Sequence, residues 1–236
     1  MIGAQAKPQL KRWGIAETVF IVWTGLALLV LYPAARLLKG SFPIFTVVWL
    51  VVPLLVVARA GGAGRVGFRS ITPRVFLSTA VVNLGALILI SLLVEPWSHA
   101  YQALVKGALA SIPPDTTFAW LVRFKGLSAW GGLLLFSGLV TIFGEELFFR
   151  GWLLQALLAK MNKGWAILIQ AVLFTIPQLL AALLLAPWQG VVYAVIYSFL
   201  GVGMIGGWAA ARTRSIWPSL ASAVIWNAIL AAWVLS

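Results

Sequence analysis

Two adjacent glutamates, Glu145 and Glu146, stand inside a long apolar run and are followed by Arg150. The 236-residue chain holds only five acidic residues. A charged side chain at the centre of a membrane helix costs about 2.5–3.5 kcal/mol on insertion scales, so two of them side by side need a reason. Glu146 and Arg150 are four apart with the acid N-terminal, the favourable orientation for a helical ion pair. Pairing offsets part of the burial cost, although buried pairs often only break even. The pair therefore reads equally as a packing clamp and as part of a site. Glu145 lies about 100° further round a helix, on the face of Thr141, with no basic residue three or four positions away. A carboxylate without a local partner suits a general base working on water. The competing reading is a polar contact between helices.

Two amides complete the candidate set. Gln178 closes the run Phe174-Thr175-Ile176-Pro177-Gln178, where Pro177 removes a backbone hydrogen bond and loosens the helix. Asn227 lies within the last apolar span, after Pro218-Ser219-Leu220-Ala221-Ser222-Ala223. Both amides can donate to a carboxylate or to a developing oxyanion. Each alone reads first as polar glue between helices.

The elements that must position these residues are membrane helices. Mean hydropathy is +1.03, with 62% apolar and 9% charged residues, a composition foreign to soluble cores. Apolar windows close to the ~20 residues a bilayer requires fall at 15–38, 42–58, 75–94, 127–159, 165–186, 190–211 and 216–235. The expectation is an all-α, polytopic membrane bundle of about seven transmembrane helices, within a range of six to eight. The second window carries Pro43 and Pro53, and the fourth is too long for one upright helix. With no internal repeat and no low-complexity linker, residues 1–236 read as a single membrane domain. The first window follows Lys7, Lys11 and Arg12 like a signal peptide, but Arg36 and Lys39 come after it without a convincing cleavage site, so it reads as a transmembrane helix.

Charge placement sets the expected topology. Lys7, Lys11, Arg12, Arg59, Arg65, Arg69, Arg74, Lys160, Lys163, Arg212 and Arg214 fall on one side, against Arg36, Lys39, Lys106, Arg123 and Lys125 on the other. The heavier side is cytoplasmic, which puts the N-terminus inside and the C-terminus opposite. The same loop bias accounts for the net charge of +12 without nucleic acid as a partner. The loop Arg59–Arg74 contains Gly61-Gly62-Ala63-Gly64 but lacks a phosphate-loop ending, and it reads as a surface for anionic lipid. Segment 95–126 holds His99, the sole histidine, and reads as an interfacial helix followed by a turn at Pro113-Pro114-Asp115. Gly203 and Gly207 have the spacing of a close-packing helix face. There are no cysteines, so disulfides are excluded.

Taken together, Glu145-Glu146-Leu147-Phe148-Phe149-Arg150-Gly151, the run Arg212-Thr213-Arg214-Ser215-Ile216-Trp217-Pro218 and the order of the spans resemble the CPBP family, the Rce1-like or CAAX-type intramembrane endopeptidases. The resemblance covers 131–235. It maps the EExxxR motif onto Glu145, Glu146 and Arg150. The FxxxH motif runs here from Phe174 to Gln178, and the HxxxN motif from Ala223 to Asn227. The resemblance implies that Glu145 and residues at 178 and 223 activate water, with Asn227 holding the oxyanion. Both histidines are missing. Glutamine takes up no proton near neutral pH, and alanine offers no polar atom. A zinc site needs histidine, cysteine or carboxylate ligands, so no cofactor and no metal are expected.

The leading expectation is a catalytically impaired member that acts as a scaffold or assembly subunit for another integral membrane protein, in contact with membrane lipids. One alternative is an active endopeptidase with Glu145 as general base, since losing one acid–base partner typically costs ~10²–10⁴ in rate. A second is a small transporter or proton pathway, because intramembrane acids also mark such routes, although the paired repeats common among transporters are absent.

Overall fold

The computed structural model describes residues 44–60, 63–93, 103, 142–182 and 185–235. Among them there are helices and turns but no strands. We label the helices α1 (Ile44–Ala60), α2 (Pro73–Leu93), α3 (Phe143–Glu145 continuing through Glu146–Leu153 and Leu154–Leu158), α4 (Lys163–Ala182), α5 (Pro187–Val191 through Val192–Ile205 to Gly206–Thr213) and α6 (Trp217–Leu235).

These helices follow the apolar windows at 42–58, 75–94, 165–186, 190–211 and 216–235 to within a few residues. Window 127–159 is helical from Phe143 to Leu158, and its first part lies outside the described residues. The span at 15–38 and nearly all of segment 95–126, His99 included, also lie outside them; Ala103 is helical. Among the described residues, two helices have the length and apolarity to cross a bilayer, Pro73–Leu92 with 20 residues and Pro187–Thr213 with 27. Shorter apolar stretches occupy Lys163–Leu179 and Trp217–Leu230.

The burial pattern of α2 is inverted relative to a soluble helix. Thr79 and Asn83 are buried, whereas Leu77 is 62% exposed and Leu92 69% exposed. Such a helix turns its polar groups to neighbouring helices and its leucines outward, the arrangement hydrocarbon favours. Asn83 Nδ2 donates to Ser222 Oγ on α6 at 2.8 Å. Ser222 Oγ in turn donates to the Pro218 carbonyl one turn back.

Pro187 opens α5, where its missing N–H has no helical partner to lose. The helix ends at Arg214, which adopts the left-handed conformation (φ 54°, ψ 24°) that commonly terminates helices. Gly203 and Gly207 lie against α4. A Cβ on Gly203 would stand 3.0 Å from Ala171 Cβ, and one on Gly207 would stand 2.5 Å from Gln170 Oε1. The backbones approach closely because neither side chain is present.

The apolar core gathers on α3. Leu147, Phe149, Leu153 and Leu154 are buried with Trp49 of α1 and Phe174 of α4. Phe149 meets Trp49 edge-on at 5.8 Å and Phe174 at 5.3 Å between ring centroids. Segment Glu146–Leu153 is wound as π-helix, a rare form that concentrates at functional sites.

The 63–72 loop packs against the 213–216 linker. Ile216 N donates to the Gly67 carbonyl at 3.0 Å, and Ser215 Oγ donates to the Arg69 carbonyl at 3.0 Å. Gly67 has φ +78°, a conformation that strains any residue with a Cβ. Gly151 of α3 lies beneath this loop, and a Cβ there would stand 2.5 Å from the Val66 carbonyl oxygen. Val66 is fully buried backbone with no flexible end to yield. Gly151→Ala is therefore expected to lower stability by about 1–3 kcal/mol, the usual cost of overpacking. A melting temperature in detergent equal to wild type would show that the loop can lift away from α3.

Candidate functional site

The five candidate residues come from three segments far apart in sequence, and the helices bring four of them, Glu145, Glu146, Gln178 and Asn227, to one cavity. A cavity of about 280 Å³ is lined by Glu145 and Glu146 of α3, Phe174 and Gln178 of α4, and Ala223 and Asn227 of α6. Leu87 of α2 and Tyr193, Tyr197, Ser198 and Val202 of α5 complete its walls with Trp226 and Leu230 of α6. Arg150 lies behind this wall and does not line it.

Arg150 is fully buried and has three engagements. Nη1 lies 3.1 Å from Glu146 Oε1, Nη2 donates to the Val202 carbonyl at 2.7 Å, and the guanidinium sits 4.2 Å from the Phe174 ring centroid. The Nη1 contact is Coulombic, since neither Nη1 nor Nε has a well-aligned hydrogen bond. Room for the guanidinium comes from Gly206 of α5, where a Cβ would stand 3.2 Å from Nη2. The second oxygen of Glu146 accepts from Ser219 Oγ. Glu146 and Arg150 thus tie α3 to α5 and α6, the clamp geometry that the i,i+4 spacing allows.

Glu145 is held differently. Gln178 Nε2 donates to Glu145 Oε1 across helices at 3.5 Å, a long contact. The other face of the amide is fixed by Tyr193, whose hydroxyl donates to Gln178 Oε1 at 3.0 Å. An ionised carboxylate only accepts, so this chain has one polarity, from the Tyr193 hydroxyl through the amide to Glu145. Glu145 Oε2 has no partner among the described residues. Asn227 Nδ2 donates to the carbonyl of Ala223, one turn back on its own helix, at 2.9 Å. One of its two N–H groups is therefore engaged away from any oxyanion, and Oδ1 is left as an acceptor.

Two sides of the cavity are aromatic. Tyr193 and Tyr197 stack at 5.6 Å between centroids with planes 20° apart, and Trp226 Nε1 donates to the Tyr197 hydroxyl at 2.9 Å. Ser198 is buried beside them, with its Oγ unpartnered among the described residues. Sequence reasoning missed Tyr193, Tyr197, Ser198 and Ser219. The spacing Tyr193–Tyr197 was available as a signal, because two hydroxyl-bearing rings one turn apart are uncommon in an aliphatic span. Ser219 and Ser222 likewise share one face of the last helix.

The donor set does not fit a transition metal. Among the described residues no three histidine, cysteine, aspartate or glutamate side chains lie close enough to hold an ion. One of the two carboxylates in the cavity is already paired, and the remaining polar groups are amides and hydroxyls, poor ligands for zinc.

The described residues form a helical fold with outward-facing leucines, in which the buried Glu146–Arg150 pair borders a cavity also lined by Glu145, an arrangement compatible with a helical membrane protein. Residues 127–229, a little under half of the chain, match the family model described as type II CAAX prenyl endopeptidase Rce1-like, and this segment is an Rce1-like domain. That family is an integral membrane family. No curated protein and no solved structure matches the sequence. Within the matched segment, positions 178 and 223 are glutamine and alanine.

Proposed function

We propose that this chain is a multi-pass Rce1-like membrane protein that binds a segment of another integral membrane protein and does not cleave it efficiently, so that it acts as a scaffold or assembly subunit. The N-terminus and the basic loops then face the cytoplasm, and the C-terminus faces the opposite side. The observation that carries this reading is the content of the cavity. Its described lining holds two carboxylates, one of them paired with Arg150, two amides and three hydroxyls, yet no neutral nitrogen base that could relay a proton. Hydrolysis of an amide needs a group that takes a proton from water and gives it to the leaving nitrogen, work worth 10²–10⁴ in rate per group. Gln178 can orient but cannot relay. Ala223 contributes only a methyl group and, through its carbonyl, a hold on Asn227.

A second reading is supported by one specific contact. Gln178 Nε2 meets Glu145, so the carboxylate is steered towards the cavity as a base would be. The alternative is then an endopeptidase that retains slow turnover through Glu145.

Affinity purification of the full chain in mild detergent, comparing wild type with Glu145→Ala, separates the two. Binding without cleavage requires the same intact membrane partner in near-stoichiometric amount with both proteins. If the partner is intact only with Glu145→Ala and fragmented with wild type, the scaffold reading is lost and the enzyme reading stands.

A further inference from the structure

We infer that the cavity beside Glu145 is a recognition site for a primary alkylammonium group, of the kind carried by a lysine side chain or a small free amine. This deepens the binding role proposed above and rests on it.

The first observation is the balance of charge. Two carboxylates, Glu145 and Glu146, meet one guanidinium, and Arg150 is spent on Glu146, on the Val202 carbonyl and on the Phe174 ring. When both acids are ionised the three groups carry one net negative charge among the described residues, and the single Arg150, whose charge also acts on Glu145, cannot balance both. Buried charges persist when they are paired. The hydrogen-bonding neighbour of Glu145 is an amide at 3.5 Å, which carries no charge.

The second observation is independent and concerns hydrogen-bond polarity. Three polar atoms of the cavity have no hydrogen-bond partner among the described residues: Glu145 Oε2 and Asn227 Oδ1, and the Ser198 hydroxyl, which can accept as well as donate. Ser198 is 1% exposed, so bulk water does not satisfy it. One N–H of Asn227 is tied to the Ala223 carbonyl, and its Oδ1 stays open as an acceptor. An ammonium head brings three donors and no acceptor, which matches this set in number and in sense. A carboxylate or phosphate ligand would face the Glu145 carboxylate instead of a cation.

The third observation is the wall. Tyr193, Tyr197 and Trp226 line the same space, locked by ring stacking and by the Trp226–Tyr197 hydrogen bond. Aromatic faces attract cations through their quadrupole, most strongly where water is excluded. Leu87 and Leu230 line the cavity as well and suit an aliphatic stem. A volume of about 280 Å³ accommodates a four-carbon amine and excludes a large ligand.

The test is calorimetric titration of the detergent-purified full chain with n-butylammonium chloride and, separately, with n-butanol at matched ionic strength. Saturable butylammonium binding at least tenfold tighter than butanol is expected. Glu145→Gln, which keeps the shape and removes the charge, is expected to weaken it at least tenfold, and Ser198→Ala severalfold. Each variant is first required to melt like wild type. Equal affinity for amine and alcohol, or no saturable binding by folded wild type, overturns the inference while leaving partner capture to be judged by the purification above. The source of the ammonium is read in a second arm, with hydrophobic transmembrane peptides bearing one central lysine or norleucine. Competition by the lysine peptide alone assigns the site to a partner's side chain. Competition by neither peptide, with butylammonium still bound, assigns it to a free amine.

Discussion

Arg150→Met is expected to destabilise the protein by about 3–5 kcal/mol, the cost of leaving a buried carboxylate without its counter-ion. The residue is fully buried, Glu146 is 2% exposed, and the pair joins α3 to the Val202 carbonyl of α5 and, through Ser219, to α6. A loss of that size consumes a large part of the stability of an ordinary domain, so the single variant should be recovered as folded protein in much reduced yield. Removing both charges should cost far less. Buried ion pairs replaced by apolar residues of similar volume are often neutral, and Glu146→Met with Arg150→Met therefore restores much of the lost melting temperature. Size-exclusion profiles and melting curves of the two single variants and the double variant make the check. If the double variant is as unstable as Arg150→Met, the clamp is stabilising in its own right and the counter-ion argument fails.

Gln178→His combined with Ala223→His is expected to raise proteolysis by at least 10² over wild type. Both positions line the cavity that Glu145 lines, and Tyr193 already presents a hydroxyl to residue 178. The two substitutions complete the EExxxR, FxxxH and HxxxN pattern of the Rce1-like family on this chain. Each imidazole supplies an acid–base partner worth about 10²–10⁴ in rate. Cleavage is read as fragments of the co-purified partner by mass spectrometry, and adding Glu145→Ala to the double variant should abolish it. A folded double variant that cleaves no co-purified protein would mean that the missing histidines do not account for the impairment proposed above. The cause would then lie in substrate access or in the hold of Ala223 on Asn227.

These results depend differently on what sequence makes legible. The helices were legible because the apolar windows are long and uninterrupted, and the bilayer requirement of ~20 residues admits few alternatives. Their bounds shifted by only a few residues, as Trp165–Ala186 against Lys163–Ala182 shows. The Glu146–Arg150 contact was legible for a local reason. Four residues of helix bring two side chains to one face whatever else surrounds them, and the observed separation is 3.1 Å. The absence of imidazole at 178 and 223 was legible outright, since it is a matter of residue type.

The partners of the remaining groups were not. Tyr193 reaches Gln178 over 15 positions, Gln178 reaches Glu145 over 33, and Ser219 reaches Glu146 over 73. Such contacts depend on how each helix is rotated about its axis and which neighbour it meets. Periodicity carries little of that information in helices that are apolar on every side, because no polar stripe marks an outer face. The sequence by itself determined that this is a helical membrane chain with a buried acidic motif and a depleted acid–base set. Only the tertiary structure decided that Glu145, Gln178 and Asn227 share one aromatic-walled cavity, that Arg150 is spent outside it, and that one N–H of Asn227 is tied to the Ala223 carbonyl. The physical reason is that helix formation is written in local hydrogen bonds and hydropathy, whereas helix pairing is decided by nonlocal packing at positions such as Gly203, Gly206 and Gly207.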